Sequence, residues 1–147
     1  MRNYRITLVI CLGLLTLAAC TTEEEPTSSD SIQEIVWQWE SVKVQPTGET
    51  TTVPNPENYT LIFSEDGTFS GTADCNAISG TYSQASGFTV TVGPSTMAFC
   101  GEDSLDVQFL DLLANVVAGG PDGAGGLALE NAGGEKRMLF SNGGAAP

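Results

Sequence analysis

The sequence predicts an α+β domain, folded as a small, partly open antiparallel β-barrel with one amphipathic helix. Short segments with apolar residues at alternate positions recur between turn-forming residues along most of the chain, which is typical of antiparallel strands. Apolar residues fall at helical spacing only near residues 104–117. Because a single helix can cover only one opening or face of such a sheet, we expect the sheet to curl and so protect its edges.

The first predicted strand is IVWQWESVKV, residues 35–44, in which Trp37 and Trp39 are two positions apart and therefore lie on one face. Two tryptophans on one face indicate core packing, although an exposed pair could instead stack on a ligand. The proline-rich segment 45–58 is predicted to be a long loop with a short strand near Thr51.

Two hairpins are predicted in the next part of the chain. Residues 59–73 alternate apolar and polar side chains on both sides of an Asp-Gly pair at 66–67, which favours a tight turn. Residues 78–83 and 87–93 form the second pair, joined by a short connection with serine and glycine. The segment STMAFC (95–100) leads from this pair towards the helix.

The helix is predicted to extend from Ser104 to Val117. Its apolar face is expected to contain Leu105, Phe109, Leu112 and Val116. Asp103 is expected to cap the first turn, and Gly119 suits the far end of the helix.

The remaining chain is predicted to end in a hairpin. Residues 121–126, PDGAGG, are expected to form a loop, and residues 127–130 and 136–140 the two strands of the hairpin. The final segment SNGGAAP, residues 141–147, offers no large apolar side chain to pack, so we expect it to fray.

Residues 1–19 are predicted to be a lipoprotein signal peptide, because two arginines precede an uncharged, mostly apolar run. This run ends in Leu-Ala-Ala before Cys20 and closely resembles the lipobox of bacterial lipoproteins. That resemblance implies cleavage just before Cys20 and a diacylglycerol on its thiol; the alternative is an ordinary signal peptide with an incidental cysteine. Residues 20–31 are then the lipidated cysteine and a flexible acidic tether, and residues 32–147 the folded domain.

The mature chain is expected to be strongly acidic. The full sequence has five basic and 18 acidic residues, and loss of the two arginines in the signal peptide changes the formal net charge from −13 to −15. This charge excludes nucleic acid as a partner and would repel an anionic lipid surface. We therefore expect a monomer attached to a cell-envelope membrane through lipid on Cys20, with the domain on the extracytoplasmic side.

Only Cys75 and Cys100 remain available for pairing, because Cys11 would leave with the signal peptide and Cys20 would carry lipid. In an exported protein these two cysteines are expected to form a disulfide. The sequence has no histidine, which disfavours a cysteine nucleophile, and a zinc site would have to recruit carboxylates around two thiolates. We therefore expect no catalytic residue, no metal and no cofactor.

Three segments carry a family resemblance: FSEDGTFSG (63–71), CNAISGTY (75–82) and STMAFC (95–100). With the tryptophan-containing first strand and the closing hairpin, they resemble the META domain, as in HslJ-like heat-shock proteins and related envelope lipoproteins. The resemblance implies a compact β-barrel with a helix and no established catalytic activity. It connects the chain loosely to envelope stress and antibiotic tolerance, and similar folds in secretin-pilot lipoproteins bind lipid or a partner peptide. A shared fold does not transfer these functions.

Asn76, Ser79 and Tyr82 are candidate ligand-binding residues, because they could form a polar cluster near an open end of the barrel. The structural alternative is that Asn76 satisfies its own turn and that Gly80 allows neighbouring strands to approach closely. The two interpretations predict different places for these side chains.

Three functions are compatible with these features. The leading hypothesis is a non-catalytic binding or stress-related stabilising module for an unknown envelope protein partner. The second is a carrier of a small apolar ligand inside the barrel, and the residues that suggest it are Trp37, Trp39, Phe63 and Phe88. The third is a hydrolase with paired carboxylates, for which the available acids are Asp74, Glu102 and Asp103.

Overall fold

The computed structural model describes residues 31–147, and in this range it contains one sheet and one α-helix. The strands are β1 (Ile35–Val44), β2 (Thr50–Thr52), β3 (Tyr59–Phe63), β4 (Thr68–Ala73), β5 (Asn76–Ser83), β6 (Thr89–Val92), β7 (Val116–Pro121), β8 (Leu127–Asn131) and β9 (Lys136–Ala145). The helix α1 is Asp106–Ala114, and two short 3-10 turns cover Pro56–Asn58 and Ala132–Gly134. No helix within residues 31–147 is long and apolar enough to cross a membrane.

The sheet curls into a nearly closed antiparallel barrel. Its strand order is β6-β5-β4-β3-β1-β9-β8-β7, and the short β2 pairs with β1 outside this order. The two end strands meet where Phe88, just before β6, donates its backbone N–H to the carbonyl of Val117 in β7 at 3.3 Å. The predicted fold class, a partly open antiparallel barrel with a helix, is confirmed.

Both predicted hairpins are present. In the first, β3 pairs with β4 from Tyr59–Ala73 to Phe63–Phe69, and the turn lies at the Asp-Gly pair. Asp66 accepts the Thr68 hydroxyl at 2.6 Å and the Thr68 backbone N–H at 2.9 Å. These hydrogen bonds favour the carboxylate, the one from the hydroxyl most strongly, and hold the pKa of Asp66 below its ordinary value.

Aromatic side chains from the strands and from α1 fill the inside of the barrel. Phe109 of α1 is fully buried, and its ring centroid lies 5.1 Å from that of Trp39 and 5.7 Å from that of Tyr59. Nearer β6, the rings of Phe63 and Phe88 meet edge to face at 5.6 Å. Each large side chain buried in this way contributes about 1.5–3 kcal/mol, so this cluster is the main source of the stability of the fold.

The helix is shorter than the sequence predicted. The expected end at Val117 is wrong, because α1 stops at Ala114 and Asn115 donates its backbone N–H to Leu112 at 3.2 Å. Val116 instead begins β7, where it is still buried. An apolar residue at this position would be buried in a helix as well as in a strand. The helical spacing of the apolar residues could therefore not show where the helix ends and the strand begins.

Two predicted helix-terminal residues have other roles. Asp103 makes no cap: the hydroxyl of Ser104 accepts the backbone N–H of Asp106 at 3.2 Å instead. Gly119 lies inside β7, where an added Cβ would be 2.6 Å from the Leu129 side chain and 2.8 Å from the carbonyl of Ala128. Gly119 is therefore needed for close approach of β7 to β8 and not for ending a helix.

The C-terminal segment is also more ordered than the sequence predicted. The predicted hairpin is present as β8 and β9, but β9 continues through the glycine-rich tail and pairs Ala145 with Ile35 of β1. Ala146 then donates its backbone N–H to the carbonyl of Glu34 at 2.9 Å. The prediction of a frayed tail is wrong because backbone hydrogen bonds hold this segment without large side chains.

Candidate functional site

The expected disulfide is present at the start of β5. Cys75 and Cys100 are bonded across 25 positions of sequence, and the backbone N–H of Cys75 also donates to Cys100 Sγ at 3.3 Å. The bond ties residues 95–100, a stretch without regular secondary structure that we call the 95–100 segment, to the turn between β4 and β5. This segment is the connection between the barrel strand β6 and the helix.

Asn76 fixes the 95–100 segment a second time. Its side chain is the one polar side chain that is buried in the described range, at 2% exposure. Oδ1 accepts the Ala98 backbone N–H at 2.7 Å and the Thr96 hydroxyl at 3.1 Å. Nδ2 faces the Ala98 carbonyl at 3.0 Å and Asp106 Oδ2 at 3.2 Å. Asn76 therefore links strand, segment and helix: its role is structural, as expected, but its side chain bonds to these other segments and not to its own turn.

The segment that Asn76 holds exposes two large apolar side chains. Asn76 holds Ala98 by its backbone N–H and carbonyl and Thr96 by its hydroxyl, and the side chains from residue 96 to residue 99 are all exposed. Met97 is 93% exposed and Phe99 is 83% exposed. The contacts of Asn76 thus hold the backbone of the segment while the large side chains of Met97 and Phe99 remain in solvent.

Met97 and Phe99 border an open groove of about 450 Å³ between the 95–100 segment and the first turns of α1. Val107, at 76% exposure, and the half-buried Leu110 form the opposite wall. We call this the apolar groove. Single exposed apolar residues are common, but several on one concavity are typical of an interaction site.

A second, polar groove of about 230 Å³ continues from the first, and we call it the acidic groove. It shares Cys100, Glu102 and other lining residues with the apolar groove. Asp74 and Asp103 also line it, so the structure brings together all three acids that the sequence suggested.

Of these three acids, only Asp74 has a structural role within the described residues. Asp74 Oδ2 accepts the hydroxyl of Tyr59 at 3.3 Å, and that hydroxyl accepts the backbone N–H of Leu105 at 2.8 Å. Asp74 therefore helps to hold the start of the helix. Within residues 31–147, neither Glu102 nor Asp103 takes part in a side-chain hydrogen bond or an ion pair, and both are exposed.

These acids do not form a convincing hydrolytic centre. Glu102 and Asp103 are exposed, whereas the general acid of a hydrolase is usually enclosed in a pocket that excludes water. The groove is also smaller than the ligand sites of about 300–1,000 Å³ that are usual for small molecules. In the described residues, no three or more acidic or cysteine side chains are grouped so that they could hold a metal ion.

The basic residues of the described range lie elsewhere. Lys43 near the end of β1 pairs in register with Arg137 near the start of β9, and Lys136 lies beside them. None of the three lines the apolar or the acidic groove. Arg137 forms an exposed ion pair with Glu130 at 3.4 Å, a contact of small energetic weight.

The three candidate ligand-binding residues do not form a cluster. Asn76 begins β5 and Tyr82 lies near its other end, about 20 Å along the strand at the usual rise per residue. The Tyr82 hydroxyl donates to the Ser64 carbonyl at 2.9 Å and accepts from the Gln33 side chain at 3.0 Å. Ser79 is exposed on the opposite face of the strand. Gly80 has the predicted role, since an added Cβ would collide with the Thr91 carbonyl of the neighbouring strand.

The residues that suggested a carrier contact other parts of the protein. The indole N–H of Trp37 donates to the carbonyl of Ile32 at 2.8 Å, and Trp39 packs on Phe109. Phe63 and Phe88 pack on each other. These side chains pack inside the barrel against other residues of the protein. They therefore no longer suggest a site for an apolar ligand among them.

Sequence reasoning missed the apolar groove. The sequence presents residues 95–100 as a connection, a family motif and the site of Cys100, and no exposed apolar surface was predicted from Met97 and Phe99, which alternate with the small Thr96 and Ala98. That alternation in a cross-linked segment was the available signal. The predicted lipidation site Cys20 and all of the expected tether except its last residue, Ser31, lie outside the described residues.

Comparisons with known proteins agree with the barrel. A solved NMR structure of a protein from Burkholderia xenovorans is similar, with a TM-score of 0.60 and 19% identity over 90% of this chain and 98% of that one. A crystal structure of a DUF4847 family protein from Bacteroides vulgatus has a TM-score of 0.59 and 14% identity over 75% of this chain and 93% of that one. At such identities the likeness concerns the fold alone.

No curated protein matches the chain in a sequence comparison. The family model of the META domain, however, matches residues 30–143, which include the disulfide, Asn76, the 95–100 segment and the whole of α1. The chain therefore belongs to the META domain family.

Proposed function

We propose that this protein is a lipid-anchored component of the cell envelope whose META domain is a non-catalytic module for binding another protein through the apolar groove. The observation that supports binding most directly is the exposure of Met97 and Phe99, at 93% and 83%, on a segment held by a disulfide and by Asn76. Burial of side chains of this size contributes about 1.5–3 kcal/mol each, and this gain is unused in the isolated chain.

The rigid attachment of the segment favours binding over chance exposure. A mobile loop would lose conformational entropy when a partner orders it, at a cost of about 0.5–1.5 kcal/mol for each immobilised side chain. Here the hydrogen bonds of Asn76 and the Cys75–Cys100 bond already restrict the backbone. The groove is therefore largely prepared for a partner before contact.

The anchor is part of the same proposal. Leu-Ala-Ala followed by Cys20 supports lipidation, and the acidic segment 20–31 supports a tether between the lipid and the barrel. Attachment to a membrane confines the domain to a surface and so raises its effective concentration towards envelope partners.

In vivo cross-linking tests the proposal. A photoreactive phenylalanine analogue is placed at position 99 of the full chain, and a matched variant carries it at Val117, an exposed apolar residue of β7 that does not line the groove. We expect an adduct of defined mass from position 99, none from position 117, and loss of the adduct in Cys20→Ala or Met97→Ser variants.

Equal cross-linking from positions 99 and 117 would contradict a role for the groove. Retention of the adduct in Cys20→Ala would contradict the dependence on the anchor. Mass spectrometry of the mature protein tests the anchor by itself, because an unmodified Cys20 or an N-terminus at another residue would exclude lipidation there.

A further inference from the structure

The chemistry around the apolar groove narrows the kind of partner. Glu102 lines both grooves, and Asp103 lines the acidic groove next to it. Neither carboxylate is engaged by a side-chain hydrogen bond or an ion pair within residues 31–147, and no basic residue lines either groove. An apolar surface thus adjoins negative charge that the described part of the domain leaves uncompensated.

Charge complementarity decides between the possible occupants. A second copy docked through the same surface would bring Glu102 and Asp103 of both molecules together, which like-charge repulsion disfavours. An anionic lipid surface is disfavoured for the same reason. The chain's own segment from residue 20 to residue 31 contains four acidic residues and no basic one, so it is also a poor match.

We infer that the occupant is a short segment of another protein in which apolar side chains are followed by lysine or arginine. The apolar side chains pack against Met97, Phe99 and Val107, and the cationic group lies in the acidic groove beside Glu102 and Asp103. This inference rests on the proposed function and specifies its partner. Electrostatic matching of this kind raises the association rate and selects the partner, while the apolar contacts provide most of the affinity.

The test uses the full-length oxidised chain in detergent and three short labelled peptides in a fluorescence anisotropy titration. The first peptide combines leucine with lysine, the second replaces lysine by glutamate, and the third replaces leucine by serine. At about 0.15 M salt, we expect the leucine–lysine peptide to bind at least about tenfold more tightly than the other two.

Two double variants locate the binding. Met97→Ser with Phe99→Ser is expected to weaken the leucine–lysine peptide about tenfold or more, since these would be the central apolar contacts. Glu102→Lys with Asp103→Lys is expected to weaken it by about fivefold or more and to improve binding of the leucine–glutamate peptide. The matched control, Glu49→Lys with Glu65→Lys, makes the same change in net charge at exposed acids outside both grooves.

Several results would overturn the inference. Equal affinity for the lysine and glutamate peptides would mean that charge does not select the partner, and equal affinity for the serine–lysine peptide would mean that attraction is unspecific. An equal effect of the control variant, self-association through the groove, or no binding of any peptide would also exclude it. In each of these cases a cross-link from position 99 to a different protein would still support the proposed function, so the two failures are distinguishable.

Discussion

The interior of the barrel and the 95–100 segment use the same kinds of side chain in opposite ways. In the interior, Phe109 and Trp39 are at most 1% exposed, and their rings pack against each other. In the segment, Phe99 and Met97 are held in solvent by polar contacts and by a covalent bond. Burial of Phe109 and Trp39 stabilises the fold, whereas the exposed Phe99 and Met97 contribute little to its stability. An apolar residue that the fold fixes but does not bury is thus a better indicator of function than a buried one.

The largest expected effect on stability comes from removing a buried ring, compared with removing an exposed one. Phe109→Ala should destabilise the domain by about 3–5 kcal/mol, because it empties a site in contact with Trp39, Tyr59 and Phe140. Phe99→Ala, the matched change at an exposed ring, should alter the free energy of unfolding by less than about 0.5 kcal/mol. Denaturant unfolding followed by tryptophan fluorescence measures both. A cost above about 1 kcal/mol for Phe99→Ala would mean that the segment is part of the core.

The disulfide is expected to have the next largest effect. Replacement of Cys75 and Cys100 by serine should lower the free energy of unfolding by about 3 kcal/mol, since the bond closes a loop between cysteines 25 positions apart. The barrel should remain folded, while amide exchange should increase selectively in residues 95–100. The wild-type protein with reductant should reproduce both changes. Unchanged exchange in the segment would show that the disulfide does not hold it.

Asn76 should have a smaller effect on stability than the disulfide but a clear effect on the groove. Asn76→Ala leaves the Ala98 backbone N–H and carbonyl without their partner, at an expected cost of about 2 kcal/mol. Ser79→Ala, an exposed change on the same strand, serves as control and should cost less than about 0.5 kcal/mol. Cross-linking from position 99 should fall in Asn76→Ala and persist in Ser79→Ala. Equal stability of the two variants would contradict the role given to Asn76.

The smallest expected effect concerns Asp122, which lies between β7 and β8. Its carboxylate is exposed, in contrast to the buried, uncharged amide of Asn76. Asp122 accepts backbone N–H groups of Ala124 at 2.7 Å and Gly126 at 2.8 Å, which hold its pKa below the ordinary value, the first most strongly. Because the folded-state pKa is lowered, this stabilisation is present above the unfolded-state pKa and is lost as pH falls through the folded one. Asp122→Asn should therefore lose less stability than the wild type on acidification.

A carboxyl NMR titration of Asp122 checks the direction of this shift. A midpoint at or above the ordinary value for an aspartate would contradict it. Asp122 is fully exposed, so the accompanying change in stability is expected to be slight.

The family and most strands could be predicted from sequence because their signals are local. Alternation around an Asp-Gly turn determines the β3–β4 hairpin, and the Cys75–Cys100 pair follows from the count of the cysteines that would remain after the predicted processing. The end of α1 could not be predicted, since Val116 is buried whether it lies in a helix or in β7. The pairing of the tail with β1 depends on two segments about a hundred residues apart, and such long-range contacts leave no local pattern.

The candidate site shows the same division between sequence and tertiary structure. The sequence by itself determined the acidic composition, the absence of histidine and the alternation of Met97 and Phe99 with small residues. Only the tertiary structure decided that this segment is fixed with its large side chains in solvent, because its backbone is held by Asn76, some twenty residues earlier, and by the Cys75–Cys100 bond. Only the fold, likewise, places Glu102 in the lining of both grooves, together with Asn76 in the apolar groove and Asp74 in the acidic groove, both well over twenty residues earlier. Composition follows from the chain alone, whereas the position of a site requires contacts between residues that are distant in sequence.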